Sequence, residues 1–374
     1  MAEGASVIPF VDLRAAHEEV AEEIDAGFAR VLGSTAFMQG PDVAAFEEEY
    51  AAFSGVAHCV GVANGTDAIE LALRALGAGP GSEVVLPANT FVATAEAVLR
   101  AGARPVLVDA EPARLLIDPD RLAAAITPST AAIVPVHLYG RLARMDRIAE
   151  VAGDVPVLED AAQSQGATRD GVGAGGFGAI AATSFYPGKN LGAYGDAGAV
   201  TTGSAELARR VRLLGNHGSV VKYRHETLGF NSRLDTLQAV VLRAKLRRLA
   251  EWNDRRRRAA ARYGELLADL VDAGVTIPAS PEEALGTDHV WHLYVIRVRD
   301  RDRVLAGLHE QGVQAQIHYP VPVHLQPAFA DLGYRAGDFP VAERAAGEIL
   351  SLPIFPHITP EQQEEVAGAL RKAL

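Results

Sequence analysis

The amino-acid sequence predicts an α/β fold with a mainly parallel, seven-stranded sheet flanked by helices, followed by a smaller α+β domain at the C-terminus. Two observations predict it. Seven short apolar runs between residues 58 and 202 alternate with segments that repeat apolar residues every three or four positions. Short loops join them, which is typical of βαβ crossovers and therefore of parallel strands with helices on both faces.

Each element follows from its local pattern. An extended lead-in at residues 8–13 and an amphipathic helix at about 15–32 come first. Apolar runs predict strands at residues 58–63, 83–86, 104–109, 131–136, 155–159, 180–185 and 199–202. Helical spacing predicts helices at residues 65–76, 90–101, 118–126, 145–152 and 205–214. In a sheet of this kind the ligand binds outside the carboxyl ends of the strands.

The rest of the chain has a different pattern. A long helix is predicted from residue 234 to about 249, and a second, charged helix continues to about 270. The remaining predictions are strands at residues 292–299 and 313–317 and helices at residues 302–311, 341–350 and 360–374. We therefore expect a large domain over residues 1–250 and a small α+β domain over residues 251–374.

Composition argues against several classes of protein. The net charge of −12 disfavours general binding to nucleic acid or to anionic membranes. Cys59 is the only cysteine, so no intrachain disulfide or cysteine metal cluster is possible, and a reducing cytoplasm is the expected compartment. Residues 1–20 lack the cationic start and apolar run of a signal peptide. No segment approaches the ~20 apolar residues of a membrane span.

Lys189 is the residue around which the candidate site is organised. The apolar run of residues 177–185 ends at Pro187-Gly188, and the lysine follows at once. A tight turn at a strand end suits a lysine that must reach a fixed point beside the sheet. An exposed turn lysine is the alternative, so the interpretation depends on which other residues reach the same edge.

Two further features are predicted at this edge. Asn64-Gly65-Thr66 stands where a strand meets a helix, and the free N–H groups of a helix start bind phosphate. Helix capping alone is the alternative. Glu159 and Asp160 end another strand, and because neighbouring strand residues face opposite sides, only one of them can enter the site. An aspartate that only caps a helix start is the alternative.

Together these features describe pyridoxal phosphate, a flat cationic pyridine that carries a phosphate and an aldehyde. Lys189 would bind the aldehyde covalently, and Asp160 would keep the ring nitrogen protonated. The residues predicted around the phosphate and the ring are Gly65, Thr66, Ser184, Gln163 and Phe91. For Phe91, at a helix start, a core position is the alternative.

The sequence resembles the sugar-aminotransferase branch of the fold-type I pyridoxal-phosphate enzymes, the DegT/DnrJ/EryC1/StrS family. The resemblance covers essentially the whole chain, and its most specific motifs are Asn64-Gly-Thr-Asp-Ala68, Glu159-Asp-Ala-Ala-Gln163, Ser184-Phe-Tyr-Pro-Gly-Lys189, Gly195-Asp-Ala-Gly198 and Gly229-Phe-Asn-Ser-Arg-Leu-Asp235. It implies that Lys189 holds the cofactor and that Asp160 pairs with the pyridine nitrogen. It also implies that Asn231 reaches the phosphate in a neighbouring subunit, hence a homodimer with two shared sites.

The resemblance also implies a substrate loop in His318-Tyr-Pro-Val-Pro-Val-His324, in which two prolines fix an extended backbone. His318 and Tyr319 are similar to residues with which relatives hold a nucleotide sugar, with Tyr186 opposite. Lys222 and Tyr223 lie in a polar loop that can meet a diphosphate, and a solvated loop is the alternative. A metal is the competing interpretation of the histidines, but no His-Glu-x-x-His or paired-cysteine spacing supports it.

Two patterns suggest other functions and are set aside. Residues 171–176 match the dinucleotide pattern G-x-G-x-x-G but precede a strand where that motif requires a helix, so we expect a loop near the active site. The arginines of residues 243–258, including the run 255–258, are interleaved with Glu251 and Asp254. This favours a solvated face or dimer contacts over nucleic-acid binding.

The sequence therefore predicts an aminotransferase that moves an amino group from L-glutamate to a nucleotide-linked keto-sugar, with the cofactor in its pyridoxamine form during turnover. The nearest resemblance is to enzymes that aminate C3 of a dTDP-linked 3-keto-6-deoxyhexose. Gln165 stands where many relatives have histidine, so C4 amination and a UDP-linked sugar stay open. A sugar dehydratase of the same fold would have histidine in place of Lys189. A non-catalytic regulator that binds the cofactor or a sugar nucleotide is the other alternative.

Overall fold

A seven-stranded sheet forms the centre of the first part of the chain. The computed structural model describes residues 7–374, so residues 1–6, the start of the stretch searched for a signal peptide, lie outside the described residues. The strands are β1 (His58–Val62), β2 (Glu83–Pro87), β3 (Arg104–Val108), β4 (Thr130–Ile133), β5 (Leu158–Asp160), β6 (Ile180–Ser184) and β7 (Gly198–Thr202).

The order of the strands across the sheet is β1-β7-β6-β5-β4-β2-β3. Backbone bridges from Ile133 to Val157 and from Val136 to Asp160 join the four strands on one side to the three on the other. β7 is antiparallel to both of its neighbours, and the other pairs are parallel. The mainly parallel, seven-stranded sheet predicted from the sequence is therefore confirmed.

Helices pack on both faces of this sheet and continue into the C-terminal part. They are α1 (Leu13–Glu18), α2 (Ala21–Ser34), α3 (Pro41–Ser54), α4 (Gly65–Leu76), α5 (Val92–Ala101), α6 (Pro119–Ala125), α7 (Met145–Ala152), α8 (Ala205–Gly215), α9 (Thr236–Leu266), α10 (Pro281–Ala284), α11 (Arg301–Glu310), α12 (Pro340–Glu348) and α13 (Pro360–Ala373). Short 3-10 segments lie at Leu138–Gly140, Ala268–Leu270, Val323–Leu325 and Pro327–Leu332.

α4 shows how the local sequence sets an element beside the site. The Asn64 side chain accepts a hydrogen bond of 2.8 Å from the Asp67 N–H and so caps the helix start. Gly77 ends the helix with a φ of +91°, a conformation that favours glycine. Leu71 and Leu73 are buried in the largest apolar cluster, each contributing roughly 1.5–3 kcal/mol by burial. The helix bounds agree with the sequence prediction.

The N-terminal prediction is wrong in two respects. The single helix expected at about 15–32 is two helices, α1 and α2, separated at Glu19 and Val20. Helix α3 was not predicted, although Pro41 follows Gly40 at its start and Val43, Phe46 and Tyr50 form a buried stripe. Ile8, in the extended lead-in, forms a parallel bridge with Val313 and ties this segment to the C-terminal part.

The C-terminal part also differs from the prediction. α9 is one helix of 31 residues where two were expected, because no proline and no glycine before Gly264 interrupts it. The predicted domain boundary near residue 250 lies within this helix, and the division of the chain there stays a prediction. Tyr294–Arg297 pairs antiparallel with Ile349–Leu352, a strand in place of the predicted helix end. Residues 313–317 form single bridges at Val313 and Gln316 instead of a strand.

Two short strand pairs complete the fold. Thr168–Arg169 pairs with Val172–Gly173, and Ser219–Val221 pairs with Arg224–His225 in an exposed hairpin. Within residues 7–374, none of the helices combines the length and the apolar character that crossing a membrane requires.

Candidate active site

A cavity of about 570 Å³ lies at the carboxyl ends of the parallel strands. Ser184 ends β6, Asp160 ends β5, and Asn64 follows β1. The cavity is closed from the other side by residues of the C-terminal part and by Phe10 of the lead-in. The predicted site residues that line it are Gly65, Thr66, Phe91, Asp160, Gln163, Ser184, Tyr186, Lys189, His318 and Tyr319.

The start of α4 forms one wall of the cavity. A Cβ atom at Gly65 would lie 2.5 Å from the Ser184 Cβ, so only glycine lets the helix start pack against this serine. Asn64 satisfies the Asp67 N–H, while the first N–H groups of a helix have no partner within the helix. Gly65, Thr66 and Ser184 thus form a compact seat of N–H and hydroxyl donors, which suits a phosphate.

Asp160 is the only one of the two neighbouring carboxylates that lines the cavity. Its Oδ2 accepts a hydrogen bond of 2.8 Å from the Thr94 hydroxyl, and its Oδ1 accepts one of 3.2 Å from the Ala162 N–H. Burial raises the pKa of Asp160, and the hydrogen bonds and Lys189 oppose that shift. A buried carboxylate with two hydrogen bonds can pair with a cationic ring nitrogen inside the cavity.

Lys189 follows a tight turn in which its N–H donates to the Tyr186 carbonyl at 2.8 Å. Its amine lines the cavity and forms no ion pair or hydrogen bond with residues 7–374. Burial lowers the pKa of Lys189 to about 8, and Asp160 partly opposes this shift. More of the lysine is therefore a neutral amine near neutral pH than in an ordinary, solvated lysine, and the neutral amine is the form that attacks an aldehyde.

Glu159 faces the opposite side of the sheet. Its carboxylate accepts hydrogen bonds from the N–H groups of Gly175, Phe177 and Gly178 and from His137 Nε2, at 2.7–2.9 Å. The glycine-rich loop is therefore held on the back face and contributes no residue to the cavity. The expectation that residues 171–176 lie near the active site is wrong, because this loop is bound to Glu159, whose side chain points away from the cavity that Asp160 lines.

Gln163 links the sheet edge to the predicted substrate loop. Its side chain accepts a hydrogen bond of 2.5 Å from the Tyr139 N–H and donates one of 3.1 Å to the Tyr319 hydroxyl. The Phe91 ring lies 5.2 Å from the Tyr319 ring and is 49% exposed, so Phe91 is not a core residue. Nδ1 of His318 and the Ser351 hydroxyl share a hydrogen bond of 2.9 Å. These side chains hold each other at the cavity mouth.

Three predicted site residues lie outside the cavity of their own chain. Lys222 and Tyr223 stand at the tip of the exposed hairpin, where Tyr223 is 85% exposed. Asn231, just after this hairpin, is exposed, and its side chain accepts a hydrogen bond of 2.7 Å from Arg233. One chain alone therefore does not bring these residues to the other ten.

Several residues of the cavity were not predicted from the sequence. Thr94, which holds Asp160, lies one turn into α5, and Phe10 stacks on His318 at 5.4 Å between ring centres. His292 and Arg256 line the cavity from the C-terminal part. For Arg256 the expectation of a solvated face is wrong, because its residue exposure is only 3%. Its spacing from Trp252, Ala260 and Tyr263 was a signal that this arginine faces inward.

The residues present fit pyridoxal phosphate. The phosphate has a seat that a Cβ at Gly65 would fill, the ring nitrogen has a buried carboxylate, and the aldehyde has an unpaired amine. Phe91 offers an aromatic face on the same cavity. Groups of three or more side chains that could hold a metal ion are absent from the part of the chain that the structure describes.

Comparison with known proteins identifies the family. The profile of the DegT/DnrJ/EryC1/StrS aminotransferase family matches residues 18–371. The chain is 50% identical over 366 residues to the erythromycin biosynthesis sensory transduction protein EryC1 of Saccharopolyspora erythraea, covering 97% of this chain and 99% of the relative. It is 48% identical over 367 residues to dTDP-3-amino-3,4,6-trideoxy-alpha-D-glucose transaminase of Streptomyces venezuelae, covering 98% and 96%.

The solved structures agree. The crystal structure of DesV from S. venezuelae in complex with a ketimine intermediate matches with a TM-score of 0.93 and 47% identity, covering 98% of each chain. The fold and the pyridoxal-phosphate cofactor predicted from the sequence are confirmed together with the family. Because the profile and the relatives span nearly its whole length, the chain belongs to the DegT/DnrJ/EryC1/StrS aminotransferase family.

Proposed function

We propose that this aminotransferase moves an amino group from L-glutamate to C3 of a dTDP-linked 3-keto-6-deoxyhexose. The observation that carries the proposal is the convergence of Lys189, Asp160 and the Gly65–Ser184 seat on one cavity. The choice of C3 and of dTDP is supported by the 48% identity to a transaminase named for a dTDP-3-amino sugar.

Each residue at the sheet edge has a proposed role. Pyridoxal phosphate, when bound, supplies an electron sink for the carbanion at the donor α-carbon. Lys189 Nζ would hold the cofactor and, once the amine of the donor has taken its place there, would be free to accept the proton of the donor α-carbon. Asp160 keeps the ring nitrogen protonated, and Gly65, Thr66 and Ser184 bind the phosphate. Phe91 and Gln163 orient the ring.

The sugar is proposed to bind on the side of the cavity nearer the C-terminal part. Tyr319 and His318 lie there, with Tyr186 across the cavity and 60% exposed. Tyr319 accepts a hydrogen bond from Gln163, so it is positioned before substrate arrives. Burial and Lys189 lower the pKa of His318 to about 4, so its imidazole is neutral and can hydrogen-bond a sugar hydroxyl.

We further propose a homodimer in which the hairpin of one chain completes the cavity of the other. Val220, Val221 and Tyr223 of the hairpin are 62%, 61% and 85% exposed, and Leu228, three residues after it, is 93% exposed. Together they form an apolar surface that suits an interface. In this arrangement Asn231 reaches the phosphate, and Lys222 and Tyr223 reach the diphosphate of the sugar nucleotide in the partner. A cytoplasmic location is proposed from the single, buried Cys59.

The shared site can be tested with two inactive variants. Lys189→Ala and Asn231→Ala chains are refolded or co-expressed together, so that a mixed dimer has one site with both residues intact. Recovery of turnover in the mixture, with a dimer mass by light scattering, supports the shared site. A mixture as inactive as its components, or a monomer, contradicts it.

The reaction itself is tested by substrate panels. The purified protein with pyridoxal phosphate and L-glutamate is given dTDP- and UDP-linked 3-keto and 4-keto sugars, and product mass and NMR identify the aminated carbon. We expect 2-oxoglutarate and a C3 amine on the dTDP sugar. An amine at C4, or a preference for the UDP sugar, contradicts the substrate proposed here.

A non-catalytic regulator is the second candidate, because the relative EryC1 is named as a sensory transduction protein. Glutamate-dependent amination in the same panel would exclude a purely regulatory role. Binding of a sugar nucleotide without any turnover would favour it.

A further inference from the structure

Arg256 is a buried cation on the cavity wall, and three of its five N–H groups have no hydrogen-bond partner among the described residues. It lies on α9, is 3% exposed and lines the cavity. Its Nη1 donates to the carbonyls of Trp291 at 3.1 Å and Ile354 at 2.9 Å, which uses both protons of that nitrogen. These two bonds fix the guanidinium plane.

The other edge of the guanidinium is free. Nε is buried without a hydrogen-bond partner, and Nη2 has no partner among residues 7–374. Nε–H and the adjacent Nη2–H point the same way and form the fork that binds a carboxylate through two parallel hydrogen bonds. An unpaired buried donor is costly. Of the described arginines with such an Nε, which are Arg141, Arg233, Arg256 and Arg262, only Arg256 lines this cavity, where a ligand can supply the missing partner.

No acidic side chain neutralises Arg256 within the described chain. The two aspartates on the cavity wall are Asp160, which is bound to Thr94 and Ala162, and Asp196, and neither forms an ion pair with it. Burial lowers the pKa of Arg256 with no acidic neighbour to oppose the shift. Arginine nevertheless stays protonated in proteins, so the cavity holds an unbalanced positive charge.

A short chain of contacts places Arg256 close to the reactive lysine. Asn190, next to Lys189, donates a hydrogen bond of 2.9 Å to Asn253, one turn before Arg256 on α9. Asn190 Oδ1 also lies 3.2 Å from Nδ1 of His292, which follows the Trp291 carbonyl bound by Arg256. Burial lowers the pKa of His292, and the charges of Lys189 and Arg256 lower it further, so both cations lie near this imidazole.

We propose that the Nε and Nη2 edge of Arg256 binds a carboxylate of the amino-acid donor. The proposal rests on the proposed function, in which L-glutamate is the donor and its amino group must lie at the cofactor held by Lys189. A carboxylate on Arg256 would anchor the donor beside this lysine. The phosphate seat is built from other residues, Gly65, Thr66 and Ser184, so the guanidinium is not needed there.

The test compares Arg256→Gln and Arg256→Lys with Arg258→Gln, an exposed arginine on the same helix. The first half-reaction, in which L-glutamate converts the pyridoxal form of the enzyme to the pyridoxamine form, is followed by absorbance in a single turnover. The glutamate concentration for half-maximal rate should be about 10- to 100-fold higher in Arg256→Gln than in the wild type. Arg256→Lys should recover part of the loss, and Arg258→Gln should match the wild type. The reaction of the pyridoxamine-loaded variant with the keto-sugar should change less than about threefold.

Calorimetric binding of glutarate, which has the two carboxylates but no amine, gives a readout without turnover. The wild type should bind it, and Arg256→Gln should weaken that binding by a similar factor. Equal loss of both half-reactions and of thermal stability would show that Arg256 only clamps Trp291 and Ile354, and would overturn the proposal. So would a loss confined to the sugar half-reaction.

Two donor analogues identify the carboxylate. 4-Aminobutyrate lacks the α-carboxylate and L-glutamine lacks the side-chain carboxylate, and the analogue whose rate is insensitive to Arg256→Gln lacks the group that Arg256 binds. If both analogues stay as sensitive as L-glutamate, the proposal is wrong. A wild type that ignores L-glutamate but binds glutarate through Arg256 would refute the proposed function and leave the carboxylate site standing.

Discussion

Two neighbouring carboxylates at the end of β5 meet opposite environments. Glu159 accepts three backbone N–H groups and the His137 ring on the back face, and these bonds lower its pKa despite burial. Asp160 accepts only two hydrogen bonds on the cavity face, and burial raises its pKa. The first carboxylate is fully used by the fold, whereas the second keeps capacity for a ligand.

The comparison teaches how to separate a structural acid from a functional one without knowing the ligand. Both side chains are buried, and burial alone does not distinguish them. The number of donors that each carboxylate already has does distinguish them. The same criterion separates Arg256, with a free edge, from Arg243, which binds Glu49 and Asp42.

The largest expected effect is on turnover in Asp160→Asn. Because an amide cannot hold the ring nitrogen protonated, turnover should fall about 10²- to 10³-fold, while the variant should be at least as stable as the wild type. Steady-state kinetics and thermal denaturation measure the two quantities. Asp154→Asn, an exposed aspartate nearby, is the control and should be unchanged. An active Asp160→Asn enzyme would break the comparison.

Glu159→Gln should show the reverse pattern. His137 Nδ1 accepts the Ala143 N–H, so the proton of this ring is on Nε2 and the ring donates to Glu159. All four partners of the carboxylate are therefore donors, and the NH₂ group of a glutamine would face donors on one side. We expect a loss of about 3 kcal/mol in the free energy of unfolding, measured in urea, and turnover of the folded fraction within a few-fold of the wild type. Full stability with lost turnover would place Glu159 in the active site instead.

Thr94→Val tests the support of Asp160 on the cavity face. The substitution keeps the shape but removes the hydroxyl that donates to Asp160 Oδ2. Turnover should fall about tenfold, since a hydrogen bond to a charged group contributes roughly 1.5 kcal/mol or more. Thr90→Val, which removes only the hydroxyl bound to Thr94 at 2.9 Å, should have a smaller effect. Equal effects from both would mean that the pair acts through packing.

The smallest effect is in the acid dependence of stability. The folded-state pKa of Glu159 is lowered, so its stabilisation is present above its unfolded value near 4.5 and is lost as the pH falls through the folded value. The deficit of Glu159→Gln should therefore shrink in acid. Asp160 has a raised pKa, so Asp160→Asn should gain stability at neutral pH and lose that gain in acid. Parallel pH curves for the two variants would contradict the assignment.

Much of this arrangement could be predicted from the sequence, because it depends on short-range rules. Period-two alternation in β5 placed one of Glu159 and Asp160 in the site, and cap chemistry placed the start of α4 at Gly65. The sequence alone does not show which of the four consecutive arginines enters the cavity, because the two carbonyl partners of Arg256 are 35 and 98 residues away. Thr94 and Phe10 were missed for the same reason, since tertiary contacts alone bring them to the cavity.

The central claim is that the Lys189 amine holds the cofactor. The chain has four lysines, Lys189, Lys222, Lys245 and Lys372, so the site of attachment can be assigned without ambiguity. The protein is loaded with pyridoxal phosphate, reduced with borohydride to fix the bond, digested and analysed by mass spectrometry. We predict one modified peptide, with the added mass on Lys189 and none on Lys245, which is buried outside the cavity. Modification of another lysine, or of none, would contradict the account.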